Sequence, residues 1–262
     1  MFRAAIDVGG TFTDIVAVDE AGKNLHVLKL RSTPAAPEQG LLAGVARLLS
    51  EHDLPASGLG SIVHVSTIGT NLFLGQLGIK IPKVSLITTK GFRDVIEIGR
   101  QNRAELYNVF FQRPKPLVPR RLRFGVTERV DSYGKTLQRT EREELRLLAK
   151  TLVDEDVESV AISFINSYLN SENEKNAKTV ISEASNIPVF TSSEIDPEHR
   201  EYERTSTTVV NATLAPVVSR YLQAVMRGLR ESGVKENLHV LSSSGGLVDI
   251  EESMRKPIVA IE

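Results

Sequence analysis

The stretch Asp7-Val8-Gly9-Gly10-Thr11-Phe12-Thr13-Asp14 holds the densest set of groups able to do chemistry. A short apolar run ends in an acidic residue, two glycines follow, and hydroxyls come next. Glycines let main-chain N–H groups approach a phosphate closely, and Thr11 and Thr13 could add O–H donors on one strand face. Asp7 would lie beside those phosphates, placed to hold Mg2+ directly or through water. Phe12–Val18 alternates apolar and polar residues, so a strand rather than a helix follows the turn. There is no Gly-Lys-Ser/Thr either. Both facts argue against a P-loop and a dinucleotide fold, which need a helix N-terminus after the glycines. The plainer alternative is an ordinary hairpin closed by a glycine turn.

Further candidates lie along the chain. Pro197-Glu198-His199-Arg200-Glu201-Tyr202-Glu203-Arg204 is dense in polar groups. On a helix Arg200, Glu203 and Arg204 would share a face, as a clamp for a carboxylate or phosphate or as a solvated helix start. Gly91-Phe92-Arg93-Asp94 and Gly99-Arg100-Gln101-Asn102-Arg103 could line a cleft. The Pro- and Arg-rich residues 100–123 would then form an exposed loop, covering the cleft or anchored as a surface excursion by Phe110 and Phe111. Thr67, Thr70 and Asn71 could cap a helix or touch a ligand. Ser242-Ser243-Ser244-Gly245-Gly246 could approach a nucleotide or turn the chain into a helix. No His-x-Glu or His-Glu-x-x-His spacing suggests zinc, and no Gly-x-Ser-x-Gly elbow suggests a serine hydrolase.

The elements that must position these groups alternate in type. Ala4–Val8, Phe12–Val18 and Leu25–Leu30 read as an antiparallel meander of three strands. A helix follows with Leu41, Leu42, Val45, Leu48 and Leu49 on its inner stripe. Ile62–Val65 and Val84–Thr88 read as strands, with a helix over Thr70–Leu77 between them. A hairpin is expected around Ser132-Tyr133-Gly134-Lys135, and Thr140 with Glu143 reads as a capping box. Val157–Phe164 reads as a buried strand, Ser171–Ala184 as a helix and Ile187–Thr191 as a strand. A long helix is expected from Pro197, with Pro216 as a break or kink. Leu238–Leu241 and Pro257–Ile261 read as the last strands.

Composition narrows the class. The 262 residues carry 32 Lys+Arg against 33 Asp+Glu, a formal net charge of −1, and no Cys. A neutral chain whose arginines are not interleaved with stacking aromatics argues against nucleic acid as a partner. No apolar run approaches the roughly 20 residues that span a bilayer, so no membrane association and a cytoplasmic location are expected. Without Cys there are no disulfides, thiolate metal sites or cysteine nucleophiles.

The glycine hairpin resembles the first phosphate loop of the sugar-kinase/actin/chaperone ATPase fold. Four further segments resemble the hydantoinase A/5-oxoprolinase family: Val63-His64-Val65-Ser66-Thr67-Ile68-Gly69-Thr70-Asn71, Leu86–Asp94, Glu97–Asn102 and Arg200–Ala212. They occur in order and cover essentially the whole chain. The family's usual His-Gly-Thr-Thr-Val-Ala-Thr-Asn-Ala differs here, with Val65-Ser66 after His64 and Leu72-Phe73 after Asn71, a departure that bears on the substrate. The resemblance implies an α/β fold: a ribonuclease-H-like mixed sheet with N-terminal antiparallel hairpins and flanking helices, part of an incomplete actin-like ATPase. It implies an N-terminal hydantoinase/oxoprolinase domain over 1–190 and the start of a central hydantoinase A domain over 191–262, apparently truncated.

The implied activity is ATP-dependent opening of a cyclic amide, in which phosphoryl transfer to the carbonyl oxygen activates an unreactive lactam. Asp7 would handle Mg2+, Gly9, Gly10, Thr11 and Thr13 the ATP phosphates, and His64, Arg200, Tyr202 and Glu203 the substrate. Expected partners are the remainder of a hydantoinase A chain and a hydantoinase B-like subunit, in an oligomer. A subunit resembling those of acetone and acetophenone carboxylases, and a non-catalytic chain that only binds a partner, are the alternatives.

Overall fold

The computed structural model describes residues 1–75, 78–102, 104–235 and 237–261, which form two compact units. Unit 1 comprises Met1–Ile81 and Val217–Glu262, and unit 2 comprises Pro82–Pro216.

Unit 1 is built on a six-stranded mixed sheet. Strands β1 (Phe2–Val8), β2 (Phe12–Asp19) and β3 (Leu25–Arg31) form the expected meander. Strand β4 (Leu59–Ser66) lies parallel to β1, and β11 (Leu238–Leu241) lies parallel to β4, with β12 (Leu247–Asp249) antiparallel at the edge. The order β3-β2-β1-β4-β11 is that of a ribonuclease-H-like sheet. Ala4, Ile6 and Val8 of β1 and Thr13, Ile15 and Ala17 of β2 alternate inward, as period-two patterning requires. They meet helix α1 (Pro37–Glu51), whose Leu41, Val45 and Leu48 supply the expected stripe. Gly44 permits this packing: a Cβ there would lie 2.1 Å from Ile15 Cδ1. Short helices α2 (Ile68–Phe73) and α8 (Ile250–Arg255) complete the unit, with Tyr221, Leu222, Val225 and Leu229 from a long helix described below. Val16, Leu25 and Val27, on the other face of the meander, are exposed.

Unit 2 holds an all-parallel sheet in the order β10-β9-β5-β6. Its central strands, β5 (Val84–Thr89) and β9 (Ser159–Ser163), are buried at every position, their Ser and Thr residues included, as strands covered on both faces are. Strands β6 (Arg123–Val126) and β10 (Val189–Thr191) flank them, and β7 (Arg129–Val130) pairs with β8 (Thr136–Gln138) in a separate hairpin. Helices α4 (Arg142–Asp154) and α5 (Glu172–Ser185) pack on each other, while α3 (Val95–Ile98) and α6 (Ser192–Ile195) are single turns. Helix α7 (Glu201–Glu231) runs through Pro216, giving its first half to unit 2 and its second to unit 1. No helix among the described residues is long and apolar enough to cross a membrane.

Several expectations are corrected. Pro257–Ala260 is a 3-10 helix, not a strand. The helix expected over Thr70–Leu77 spans Ile68–Phe73, and Leu77 lies outside the described residues. Thr140 does not cap α4: Glu141 occupies the N-cap, and the Thr140 hydroxyl instead accepts a hydrogen bond from Asn176 Nδ2 at 2.7 Å. Phe110 does not anchor the 100–123 loop, being 87% exposed, whereas Phe111 is half-buried.

Candidate functional site

Because β1, β4 and β11 are adjacent and parallel, their C-terminal ends lie at one edge of the unit 1 sheet. The three segments that leave those ends are Gly9–Thr11, Thr67–Asn71 and Ser242–Gly246. Open α/β sheets bind ligands at this kind of edge, beyond the carboxyl ends of their strands. Three motifs scattered over nearly the whole sequence thus lie at one edge of the sheet.

The glycine turn is closed by Gly9 N–H donating to Phe12 O at 3.0 Å, and Thr11 O accepts from Ser32 N at 2.9 Å. Among the described residues, the N–H groups of Gly10 and Thr11 meet no acceptor. Gly10 and Thr11 are exposed. A Cβ on Gly10 would come within 3.4 Å of Asn71 Nδ2, so the turn and α2 are in close approach. Asn71 Nδ2 in turn donates to Thr67 Oγ1 at 3.0 Å, and Thr67 makes no side-chain cap bond to α2. Ser242–Gly246 links β11 to β12 as a hairpin rather than entering a helix, with Ser242 Oγ accepting from Gly246 N at 3.1 Å.

Asp7 is exposed, on the face of β1 opposite Ile6 and Val8, and lies across from Asp14 on β2. Asp14 pairs with Lys29 Nζ at 2.9 Å. Among the described residues no group of three or more His, Asp or Glu side chains gathers to hold a metal ion. A divalent cation held at Asp7 would therefore have to take most of its oxygens from phosphate and water.

Two candidates are turned away from this edge. Thr13 is fully buried, its hydroxyl 3.0 Å from Ser32 Oγ and facing α1, so Thr11 and Thr13 do not share a face. His64 is 1% exposed. Its Nδ1 lies 3.2 Å from Ile6 O and its Nε2 lies 2.8 Å from Tyr221 Oη. A carbonyl can only accept, so Nδ1 carries the proton and Nε2 accepts from the Tyr221 hydroxyl. Burial lowers the His64 pKa to about 4 and raises that of Tyr221. With both ring nitrogens engaged, His64 braces β1 one residue before Asp7 instead of presenting a group to a substrate.

Arg200, Tyr202 and Glu203 belong to unit 2. The Glu203 carboxylate accepts two hydrogen bonds from Arg100, at 2.8 and 2.6 Å, which holds its pKa below the usual range. Tyr202 packs on Gly99, whose φ is +55° and whose Cβ, if present, would lie 3.5 Å from the ring. Arg200 precedes α7 and is exposed, while Arg204 is 1% exposed and points inward. The shared face of Arg200, Glu203 and Arg204 is therefore not formed.

A buried polar network absent from the sequence expectations surrounds Arg204. Its guanidinium donates to Ser192 Oγ at 3.0 Å, Glu198 O at 2.6 Å and Phe164 O at 2.7 Å. Glu174, fully buried, accepts from Phe164 N, Ser192 Oγ and Ser193 N at 2.7–2.9 Å. Thr89 at the end of β5 accepts from Ile165 N at 2.9 Å and donates to Glu128, whose carboxyl is pushed up by burial. No charge pattern marks these residues, because Glu and Arg near helix starts usually read as solvated.

Comparisons with known proteins bear on this arrangement. The family described as hydantoinase/oxoprolinase N-terminal region matches residues 3–185, and that described as hydantoinase/oxoprolinase matches residues 204–262. Uncharacterized protein MJ0964 of Methanocaldococcus jannaschii is 45% identical over all of this chain and 38% of its own length. Caprolactamase subunit alpha of Pseudomonas jessenii is 31% identical over 94% of this chain and 36% of its own. Acetophenone carboxylase gamma subunit of Aromatoleum aromaticum is 32% identical over 94% and 35%. The crystal structure of the ATP-dependent caprolactamase from Pseudomonas jessenii aligns with a TM-score of 0.87 at 29% identity, covering 99% of this chain and 38% of that one. The chain thus spans little more than a third of the length of these relatives. With its N-terminal 3–185 and its 204–262 both matched, the chain belongs to the hydantoinase/oxoprolinase family.

Proposed function

We propose that this chain supplies the ATP-binding part of an enzyme that opens cyclic amides. The observation that carries the proposal is the convergence of Gly9–Thr11, Thr67–Asn71 and Ser242–Gly246 at the carboxyl ends of three parallel strands, beside Asp7. The unmatched N–H groups of Gly10 and Thr11 would cradle phosphate oxygens, and Asp7 would hold Mg2+. Mg·ATP, when bound, supplies a transferable phosphoryl group for activating an amide carbonyl. His64 and Tyr221 act as positioning residues, bracing β1 through Ile6 O. Thr13 supports the turn from beneath through Ser32. Tyr202 and Glu203, with Arg100, are the substrate-side candidates in unit 2, and partner subunits complete the enzyme.

Titration calorimetry of Mg·ATP into the protein tests this. Binding that weakens by about tenfold or more in Asp7→Ala and Gly10→Val supports it. Absence of binding, or unchanged affinity in both variants, would sink the phosphate-turn assignment. The acetophenone carboxylase relative, as similar as the caprolactamase one, sustains a second reading, in which ATP activates a ketone or bicarbonate. Bicarbonate-dependent ATP cleavage with a ketone, in place of lactam-dependent cleavage, would select it.

A further inference from the structure

Unit 2 contains a groove of about 370 Å³ between the first half of α7 and the segment 111–117. Tyr202, Ser206, Val209 and Val210 fall at i, i+4, i+7 and i+8, so one face of α7 forms a floor that is apolar except for two hydroxyls. Phe111 and Leu117 also line the groove. The volume lies in the range of small-molecule sites.

The charges around the groove do not cancel. Arg100 is neutralised by Glu203 and Glu97 by Arg123, at 2.6 and 2.8 Å. Arg113 and Lys115 also line the groove, and among the described residues neither makes an ion pair. Both are exposed, and the Arg113 side chain is tethered. Arg113 Nη1 donates to Glu97 O and Ile98 O at 3.0 and 2.8 Å, the exposed carbonyls at the end of α3. Lys115 stands between Pro114 and Pro116, whose fixed φ angles stiffen the backbone. A tethered Arg and a Lys on a proline-stiffened backbone, beside an apolar floor, match an anion with an apolar body, since both side chains pair with carboxylates through charge-assisted hydrogen bonds.

We propose that this groove binds a small carboxylate with an alicyclic or short aliphatic body. The assignment deepens the substrate-side reading of Tyr202 but rests on unit 2 alone, so it can hold where Mg·ATP binding fails, and the reverse. Titration of cyclohexanecarboxylate into the 262-residue protein tests it, against its neutral isostere cyclohexanecarboxamide and against inorganic phosphate. The carboxylate is expected to bind about tenfold more tightly than either, and Lys115→Ala to remove most of that preference. Val210→Phe, which fills the floor without touching a charge, should weaken carboxylate and carboxamide together. Circular-dichroism melts establish that both variants fold. Equal affinity for carboxylate and carboxamide, equal affinity for phosphate, or carboxylate binding unchanged in both variants would overturn the proposal. So would no carboxylate binding up to about 10 mM. Displacement of the carboxylate by Mg·ATP would also overturn it, by making the groove part of the nucleotide site.

Discussion

Ser159 Oγ on β9 donates a buried hydrogen bond of 2.6 Å to the carbonyl of Ala212 on α7. That carbonyl is the one left without its helical partner, because Pro216, four residues on, has no N–H. A strand hydroxyl thus closes the gap that proline opens in the helix. Ser159→Ala is expected to cost about 1–3 kcal/mol, the penalty of a buried unsatisfied carbonyl. Adding Pro216→Ala restores the N–H and should return most of that loss. Chemical denaturation of the two single variants and the double variant measures the coupling, and simple additivity would refute the pairing.

Acid should weaken unit 1 through His64. Its folded pKa of about 4 lies below the 6.5 of the unperturbed side chain. Between those values the unfolded chain binds the extra proton and the folded one does not, so stability falls as pH drops from about 6.5 to 4. The full effect is on the order of 3 kcal/mol. In His64→Gln that part of the slope should vanish. Nitrogen-15 NMR of the wild type should find a neutral ring with its proton on Nδ1 at pH 6; a charged ring there would contradict the Ile6–His64–Tyr221 relay.

Gly44→Ala sets two effects against each other. Alanine gains up to about 1 kcal/mol in helix propensity, but its Cβ would sit 2.1 Å from Ile15 Cδ1 in a filled core. Overpacking of this kind costs about 1–3 kcal/mol, so net destabilisation is expected. Ile15→Val removes the clashing methyl and should be less harmful on the Gly44→Ala background than alone. Thermal melts of the four proteins decide it.

Limited proteolysis should begin in the 104–111 segment. Tyr107 is 93% and Phe110 87% exposed, and both are cleavage residues for chymotrypsin. Mass spectrometry of the first products should find cuts after these residues before any within β5 or β9. Early cuts within the buried sheet would contradict the packing.

The elements most legible in the sequence were those with strict periodicity. Ile6, Val8, Ile15 and Ala17 alternate cleanly, and Leu41, Val45 and Leu48 mark one stripe, so the meander and α1 follow from pattern alone. The run Pro257–Ile261 misled because a short apolar segment has no period long enough to separate a strand from a 3-10 turn. Gly9–Thr11, Thr67–Asn71 and Ser242–Gly246 were each visible as motifs. Their meeting was not, since the neighbours β1, β4 and β11 are distant in the chain. His64 looked like a contact residue because nothing local reveals that Tyr221, on a distant helix, will enclose it.

The network around Arg204 has a consequence for how unit 2 can respond to anything it binds. In the strand order β10-β9-β5-β6 the natural crevice lies between the carboxyl ends of β5 and β9. Here Thr89 ties those ends together through Ile165 N, and Glu174 and Arg204 hold the main-chain N–H and carbonyl of Phe164. These bonds cross-link the two strand ends with the segments above them, as a brace would. Recognition at the groove proposed above would then lie outward, on α7 and the proline-braced segment, and adjustment to a guest would fall to that segment rather than to the strands.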